Sequence, residues 1–384
     1  MKTRMLASVL VVSVLGGVAS VSVYSAAEAF EIERNFAGSL QLDYLAIPTN
    51  DQPRDIALDG FTVELALKLV VDFTENASAN VKVCYGCHGF EVAMAYVDLR
   101  LVDQLNFRFG RFTPRFGDFA LRHDPANHRA NSKPLIYDMG RMLRRLEYNN
   151  SILPIPYAEN GVELYGTQWI SDDVQLDWAA HAVSGLRGSA GAFDIDFVQS
   201  RSPALYYIDN NSEPAVGGRL ALTVNWTDFI SSTIGASGIW GRWDPDRENE
   251  YIIGGADLYF RIYALSVRGE VVFRKTEFSL GEDPQSRFRF AVVDDFFVKD
   301  GFYAEVEYPF GRYLEAFFRV DGLRQRGNVL IDSPLSRRSA VLRYTPGVNI
   351  VLHRSLRLKL STEFWDFSDF QDEVGVHAGI TANF

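Results

Sequence analysis

Cysteine is almost absent: Cys84 and Cys87 are the only two in 384 residues, too few for a disulfide scaffold. Positive charge is also in short supply. The formal net charge is −11, so nothing offsets repulsion from phosphates and a nucleic-acid partner is excluded. Long apolar runs are missing beyond the N-terminal thirty residues. The best candidate there, Phe229 to Gly241, has 13 residues, is rich in Ser and Gly, and is bracketed by Asp228 and Arg242. A spanning helix needs about 20 apolar residues, so none is expected after the N-terminal region. Hydrophobic residues make up 47% and charged residues 23%, which excludes a disordered polyanion. What is plentiful is 28 Phe, 17 Tyr and 30 Gly, the composition of a strand protein rather than of a Leu- and Ala-rich helical bundle.

At the N-terminus, Lys2 and Arg4 precede an uncharged apolar stretch from Met5 to Val23, followed by the small-x-small sequence Ala27-Glu28-Ala29. This pattern predicts a secretory signal over residues 1–29, cleaved after Ala29. The alternative is a retained anchor, because the run approaches the roughly 20 residues that cross a bilayer. Cleavage would remove two cations and one carboxylate, leaving −12 on residues 30–384.

Most of the remaining chain alternates apolar with polar side chains in stretches of about ten residues, the period of a strand. In Ala264 to Arg274, Leu265, Val267, Gly269, Val271 and Phe273 oppose Ser266, Arg268, Glu270 and Arg274, with Val272 out of place. The pattern returns at Tyr313 to Leu323, Leu356 to Phe364 and Glu373 to Phe384. Such strands suit either a soluble sandwich or a barrel with lipid outside and water inside. Short turns alternate with longer polar connections, and aromatics gather near strand ends (Trp169, Trp226, Trp240, Trp243, Tyr251, Tyr263, Tyr308 and Tyr313). Both features favour the barrel.

Sixteen strands are expected, over 37–46, 60–74, 78–84, 89–102, 104–113, 161–171, 174–184, 215–226, 229–243, 250–262, 263–276, 298–309, 312–324, 337–351, 355–366 and 373–384. The predicted fold is all-β, a closed antiparallel transmembrane β-barrel over residues 30–384. An even number permits closure without an open edge in lipid. Sixteen strands should leave an aqueous lumen.

Gly110-Arg111-Phe112-Thr113-Pro114-Arg115-Phe116-Gly117, where a strand enters the longest loop, resembles a segment of the phosphate-selective porin O and P family. In that family a similar Gly-Arg-Phe-x-x-Pro-Phe-Gly-like segment leads into the constriction loop; here Pro114 and Arg115 shift the pattern. The terminal Phe384 resembles the signal that outer-membrane barrels present to their assembly machinery. The resemblance implies a passive, trimeric diffusion channel in the outer membrane of a Gram-negative bacterium, surrounded by outer-membrane lipid. It further implies passage of small hydrophilic solutes, with a preference for anions such as phosphate.

The connection from Pro114 to Asn160 is 47 residues long, and loops of that length usually have a function. It is the candidate constriction loop, expected to fold inward. From Pro114 to Ala158 it carries Arg115, Arg122, Arg129, Lys133, Arg141, Arg144 and Arg145 against four carboxylates, a local excess of +3 in an acidic chain. Cations at a constriction would favour anions; alternatively they pair with acids on the wall or bind lipid phosphates. Arg108, Arg268, Arg274, Arg319, Arg337, Arg343, Arg357 and Lys359 fall on the expected lumen face and form a potential positive ladder. Glu270, Glu315, Asp321 and Glu363 share that face and would neutralise it.

Cys84-Tyr85-Gly86-Cys87-His88 matches the attachment signature of covalent haem c, two thiols plus an axial His. A Cys84 to Cys87 disulfide stapling a turn, and a metal site or free thiols, are the other readings. A haem-bearing barrel for electron transfer is accordingly the alternative function, although no cofactor is needed for a channel. His123 and His128 lack a third metal ligand at a recognisable spacing and are expected to be solvated. The sequence offers no catalytic residues and no metal site, so an enzyme is not expected.

Overall fold

The computed structural model describes residues 33–48, 60–86, 89–138, 151–188, 195, 207–279, 294–327, 338–368 and 371–384, together with the backbone of 8–13 and 20–25. Ser8–Ser13 (β1) and Ser20–Ser25 (β2) form an antiparallel hairpin in a sheet of their own. The other strands are β3 (Glu33–Ala46), β4 (Gly60–Thr74), β5 (Ala77–Gly86), β6 (Gly89–Val102), β7 (Leu105–Phe112), β8 (Glu159–Ser171), β9 (Val174–Val183) and β10 (Ala215–Thr227). They continue with β11 (Ile230–Arg242), β12 (Glu250–Ile262), β13 (Leu265–Glu277), β14 (Phe296–Phe310), β15 (Leu314–Gly327), β16 (Arg338–His353), β17 (Leu356–Phe367) and β18 (Glu373–Asn383). Each strand from β3 to β18 pairs antiparallel with its sequence neighbours, and β18 pairs with β3 from Val376 opposite Ala46 to Asn383 opposite Ser39. The result is a closed sixteen-strand barrel. Every expected strand is present, the largest difference being an earlier start to the first, at Glu33.

Side-chain alternation fixes the two faces. On β13, Val271 and Phe273 point outward and are exposed, whereas Glu270 and Arg274 point inward and are buried. Val272, the residue that broke the alternation, also faces inward and is buried against apolar neighbours inside the lumen. Outward positions on β4 are all apolar: Phe61, Val63, Leu65, Leu67, Leu69, Val71 and Phe73. Such a belt belongs against hydrocarbon.

Near the short turns the ladder is interrupted on five strand pairs, at Asp72/Thr74, Arg100/Val102, Trp169/Ser171, Asn225/Thr227 and Val351/His353. Each irregularity sharpens the local twist where the chain reverses at the rim. Trp169, Trp226, Tyr263, Tyr308 and Tyr313 are exposed near the turns, with Phe229 stacked on Tyr263 at 5.3 Å. Trp243 and Tyr251, expected in the same girdle, are instead fully buried. Tyr251 has the inward parity of β12, and Trp243 lies just beyond β11, where its Nε1 donates to the Glu277 carbonyl at 2.9 Å. Among the described residues no helix is long and apolar enough to cross a membrane; crossing falls to strands.

Candidate permeation constriction

The long connection turns inward at two glycines. Gly110, at the end of β7, has φ +124°, and a Cβ there would meet the Ala95 carbonyl at 2.5 Å. Gly117 has φ +60°, and a Cβ would overlap Glu270 and Tyr137. Only glycine tolerates both the conformation and the crowding. The segment that suggested the family resemblance is thus a bend that aims the chain into the barrel.

Inside, the loop is docked on the wall through its backbone. The Glu270 carboxylate accepts from the amides of Asp118 (3.1 Å) and Phe119 (2.6 Å), from the Tyr303 hydroxyl (2.9 Å) and from Tyr137. Asp321 accepts from the Leu135 amide at 2.9 Å. Arg319 donates to the Ser132 carbonyl at 3.0 Å and Arg343 to that of Lys133 at 2.6 Å. Lys359 donates to the carbonyls of Pro125 (2.6 Å) and His128 (2.9 Å). On the other side of the loop, Asn131 donates to Asp43 on β3 at 2.7 Å and accepts from Ser361 on β17 at 3.1 Å. His377 on β18 reaches Asp43 at 2.7 Å and Glu363 at 3.5 Å. These wall charges are buried, and burial is tolerable because each has opposite charge or backbone dipoles around it.

An apolar layer sits beside this ionic one. Leu153 and Ile155 donate backbone hydrogen bonds to Ile136 (3.1 Å) and Tyr137 (3.0 Å), zipping the returning arm of the loop to the outgoing one. Phe116, Phe119, Leu135, Ile136, Ile152 and Leu153 are fully shielded and pack among wall residues such as Ile253, Phe297, Leu323 and Trp365. Phe116 lies over Gly255 and Ile136 over Gly301, where the wall has no side chain to obstruct them. Burying each large apolar side chain contributes about 2 kcal/mol. The expected aqueous lumen is therefore corrected. Water reaches inward residues such as Gln175, Thr223 and Thr233 on the short-turn side, while a packed core fills much of the other side.

Every described loop cation named from the sequence has an acidic partner. Arg115 lies 3.7 Å from Glu163, Arg122 2.7 Å from Asp118, Arg129 3.1 Å from Glu315 and Lys133 2.7 Å from Glu64. Arg108 on β7 lies 3.3 Å from Glu163 and 3.6 Å from Asp98, with its guanidinium over the Tyr96 ring at 4.6 Å. The wall ladder is also interleaved with acids: Arg268 with Asp118, Arg319 with Asp321, Arg343 with Asp321 and Glu363, and Arg357 with Glu315. Arg274 lies over the Phe297 ring. Arg141, Arg144, Arg145 and Arg337 lie outside the described residues. Glu64 and Glu163, not singled out from the sequence, were detectable there as charges at inward parity on strands otherwise apolar outside.

His123 and His128 are buried rather than solvated. The Nδ1 of each is in hydrogen-bond contact with a carbonyl of its own loop, Ala120 at 2.7 Å and Ala130 at 2.9 Å. Burial and the nearby Lys82 push the His123 imidazole down to about 3. Burial and Lys359 likewise hold His128 well below its ordinary value. Burial works to raise Asp118, but Arg122 and Arg268 outweigh it and keep that carboxyl below the usual range. Among the described residues no group of three or more His, Cys, Asp or Glu could hold a metal. Cys84 faces the lumen on β5, and the β5/β6 ladder continues to Gly86 opposite Gly89. Cys87 and His88 lie outside the described residues.

No protein-family profile and no curated protein matches the chain. Solved structures do. An anion-selective porin from Comamonas acidovorans superposes with a TM-score of 0.56 at 11% identity, over 92% of this chain and 100% of that one. OmpF of Salmonella typhi, solved with daunomycin, gives 0.53 at 10% identity over 91% and 97%. The outer membrane channel DcaP of Acinetobacter baumannii gives 0.52 at 11% identity over 92% and 97%. The likeness is one of fold, to outer-membrane porins in general, and does not single out the phosphate-selective porin O and P family. A closed sixteen-strand barrel with an apolar outer belt is built for the Gram-negative outer membrane, and that is where this chain resides.

Proposed function

We propose that the chain is a passive diffusion channel for small hydrophilic solutes, not an enzyme. The observation that carries this reading is the long segment after β7, docked inside the barrel by wall charges; in this reading it narrows the pore. Residues 1–29 are taken to be a cleaved secretory signal, and the working unit a homotrimer. Planar-bilayer recording tests the reading: purified protein should insert and conduct in discrete steps, and insertion without current would defeat it. Anion preference, including for phosphate, depends on Arg141, Arg144 and Arg145, because the described loop cations are internally neutralised. Replacing those three with Ala is expected to move the reversal potential toward cations under a salt gradient. An unchanged value would reject anion preference while leaving the channel intact.

A further inference from the structure

Neighbouring strands are held together in two ways at the short-turn rim. Among the described residues, seven strand pairs are joined there by connections of two or three residues: 75–76, 103–104, 172–173, 228–229, 263–264, 311–313 and 354–355. A tight turn fixes the register of the strands it joins. The eighth pair, β18 with β3, has no such connection, because one strand is Glu373–Asn383 and the other Glu33–Ala46. Only non-covalent contacts hold this seam in register, and strand ends without a turn are the first to open.

Phe384 occupies that place. It adds one more rung to the seam: the Gly38 amide donates to the Phe384 carbonyl at 2.8 Å, and the Phe384 amide donates to the Gly38 carbonyl at 3.1 Å. Gly38 shares the outward face of β3 with Leu40 and Leu42. The Phe384 ring lies across the space that a side chain on Gly38 would take, since a Cβ built there would meet Phe384 Cζ at 2.5 Å and Cε2 at 2.8 Å. On the other side of the ring, Phe36 of the same outward face has its ring centroid 5.9 Å away, within the range of a favourable aromatic pair. Gly38 has no positive φ, so its backbone does not call for glycine; room for the ring does. A bare glycine weakens a strand. An aromatic ring laid over it offsets that weakness.

We infer that Phe384 fastens the seam: its ring, seated on Gly38 and against Phe36, does for β18 and β3 what a tight turn does for each of the other seven pairs. This stands on the closed barrel alone and is independent of what the lumen conducts.

Hydrogen exchange of the purified barrel in detergent micelles, read by mass spectrometry, tests it. Gly38→Ala displaces the ring and Phe384→Leu removes it. Each should speed exchange over 36–46 and 376–383 about three- to tenfold, with β10 and β11 unchanged as an internal reference. The double variant should be no faster than the faster single one, because both changes remove the same contact. Effects that multiply in the double variant would overturn the fastener, since the Gly38 effect would then come from the Ala66 carbonyl, 3.0 Å from the same Cβ. Unchanged seam exchange in either single variant would overturn it too, as would equal acceleration in β10 and β11. Phe384→Tyr keeps the ring and should exchange like the wild type; a Tyr that behaves as Leu would show that the ring is not what matters. Should either Gly38→Ala or Phe384→Leu fail to fold, the other carries the test with Phe384→Tyr. Local acceleration in the first and wild-type exchange in the second are then required, and any other pattern overturns the proposal.

Discussion

Glu270 shows how one side chain organises a region. Its carboxylate accepts two backbone amides and two tyrosine hydroxyls, all reaching it at the entry of the loop. An amide in its place carries no charge, so it accepts the two backbone amides and Tyr303 more weakly, and it reverses the bond with Tyr137, whose hydroxyl must then accept. Hydrogen bonds to charged groups are worth about 1.5–3 kcal/mol each, so Glu270→Gln should loosen the loop without unfolding the barrel. The expected signature is larger current noise with unchanged heat resistance on gels; a quiet channel would contradict it. Acid acts in the same direction. A displaced loop binds protons at His123 and His128 below about pH 6.5, while the docked loop resists them, His123 down to about 3. The contribution of these two histidines is therefore fully present above that pH and is lost progressively on acidification. Asp118, held low by Arg122 and Arg268, adds to the loss as the pH falls further. Hydrogen exchange of residues 118–128, after correction for intrinsic rate, should be faster at pH 4 than at pH 7 in the wild type, and replacing His123 and His128 with Gln should shrink that difference; an undiminished difference would refute this.

At the scale of elements, the loop is a small folded unit whose two arms share an apolar core. Leu153→Ala removes a fully buried side chain and should cost about 2–5 kcal/mol of docking free energy, seen as protease cleavage within 113–158 of an otherwise resistant barrel. Unaltered resistance would show that the core does not hold the loop. The strands were readable in the sequence because lipid and lumen impose strict opposite demands on alternate residues, so even Val272 failed to blur β13. The loop was readable only as an excess of length and charge. Its apolar residues have no fixed period, and Trp243 and Tyr251 resembled interfacial aromatics because parity near a strand end does not reveal what fills the lumen. The histidines misled for a related reason: a polar loop residue is expected in water unless something else covers it. Pairing across 69 positions, as between Lys133 and Glu64, or 210, as between Arg343 and Lys133, leaves no local signature at all.

At the scale of the whole molecule, the fold is one curved sheet with a structured filling, and the filling touches both strands that complete the ring. Asn131 joins Asp43 near the start of the barrel to Ser361 near its end, while Lys359 donates to three loop carbonyls, those of Pro125, His128 and Ala130, beside Gln41. Those contacts have a temporal consequence. If the sheet curls around material already inside it, the insert acts as a mandrel on which the first and last hairpins find each other. Asn131→Ala should therefore slow refolding into micelles more than it speeds unfolding, and a change confined to unfolding would show that the ring zips shut first and is stuffed afterwards.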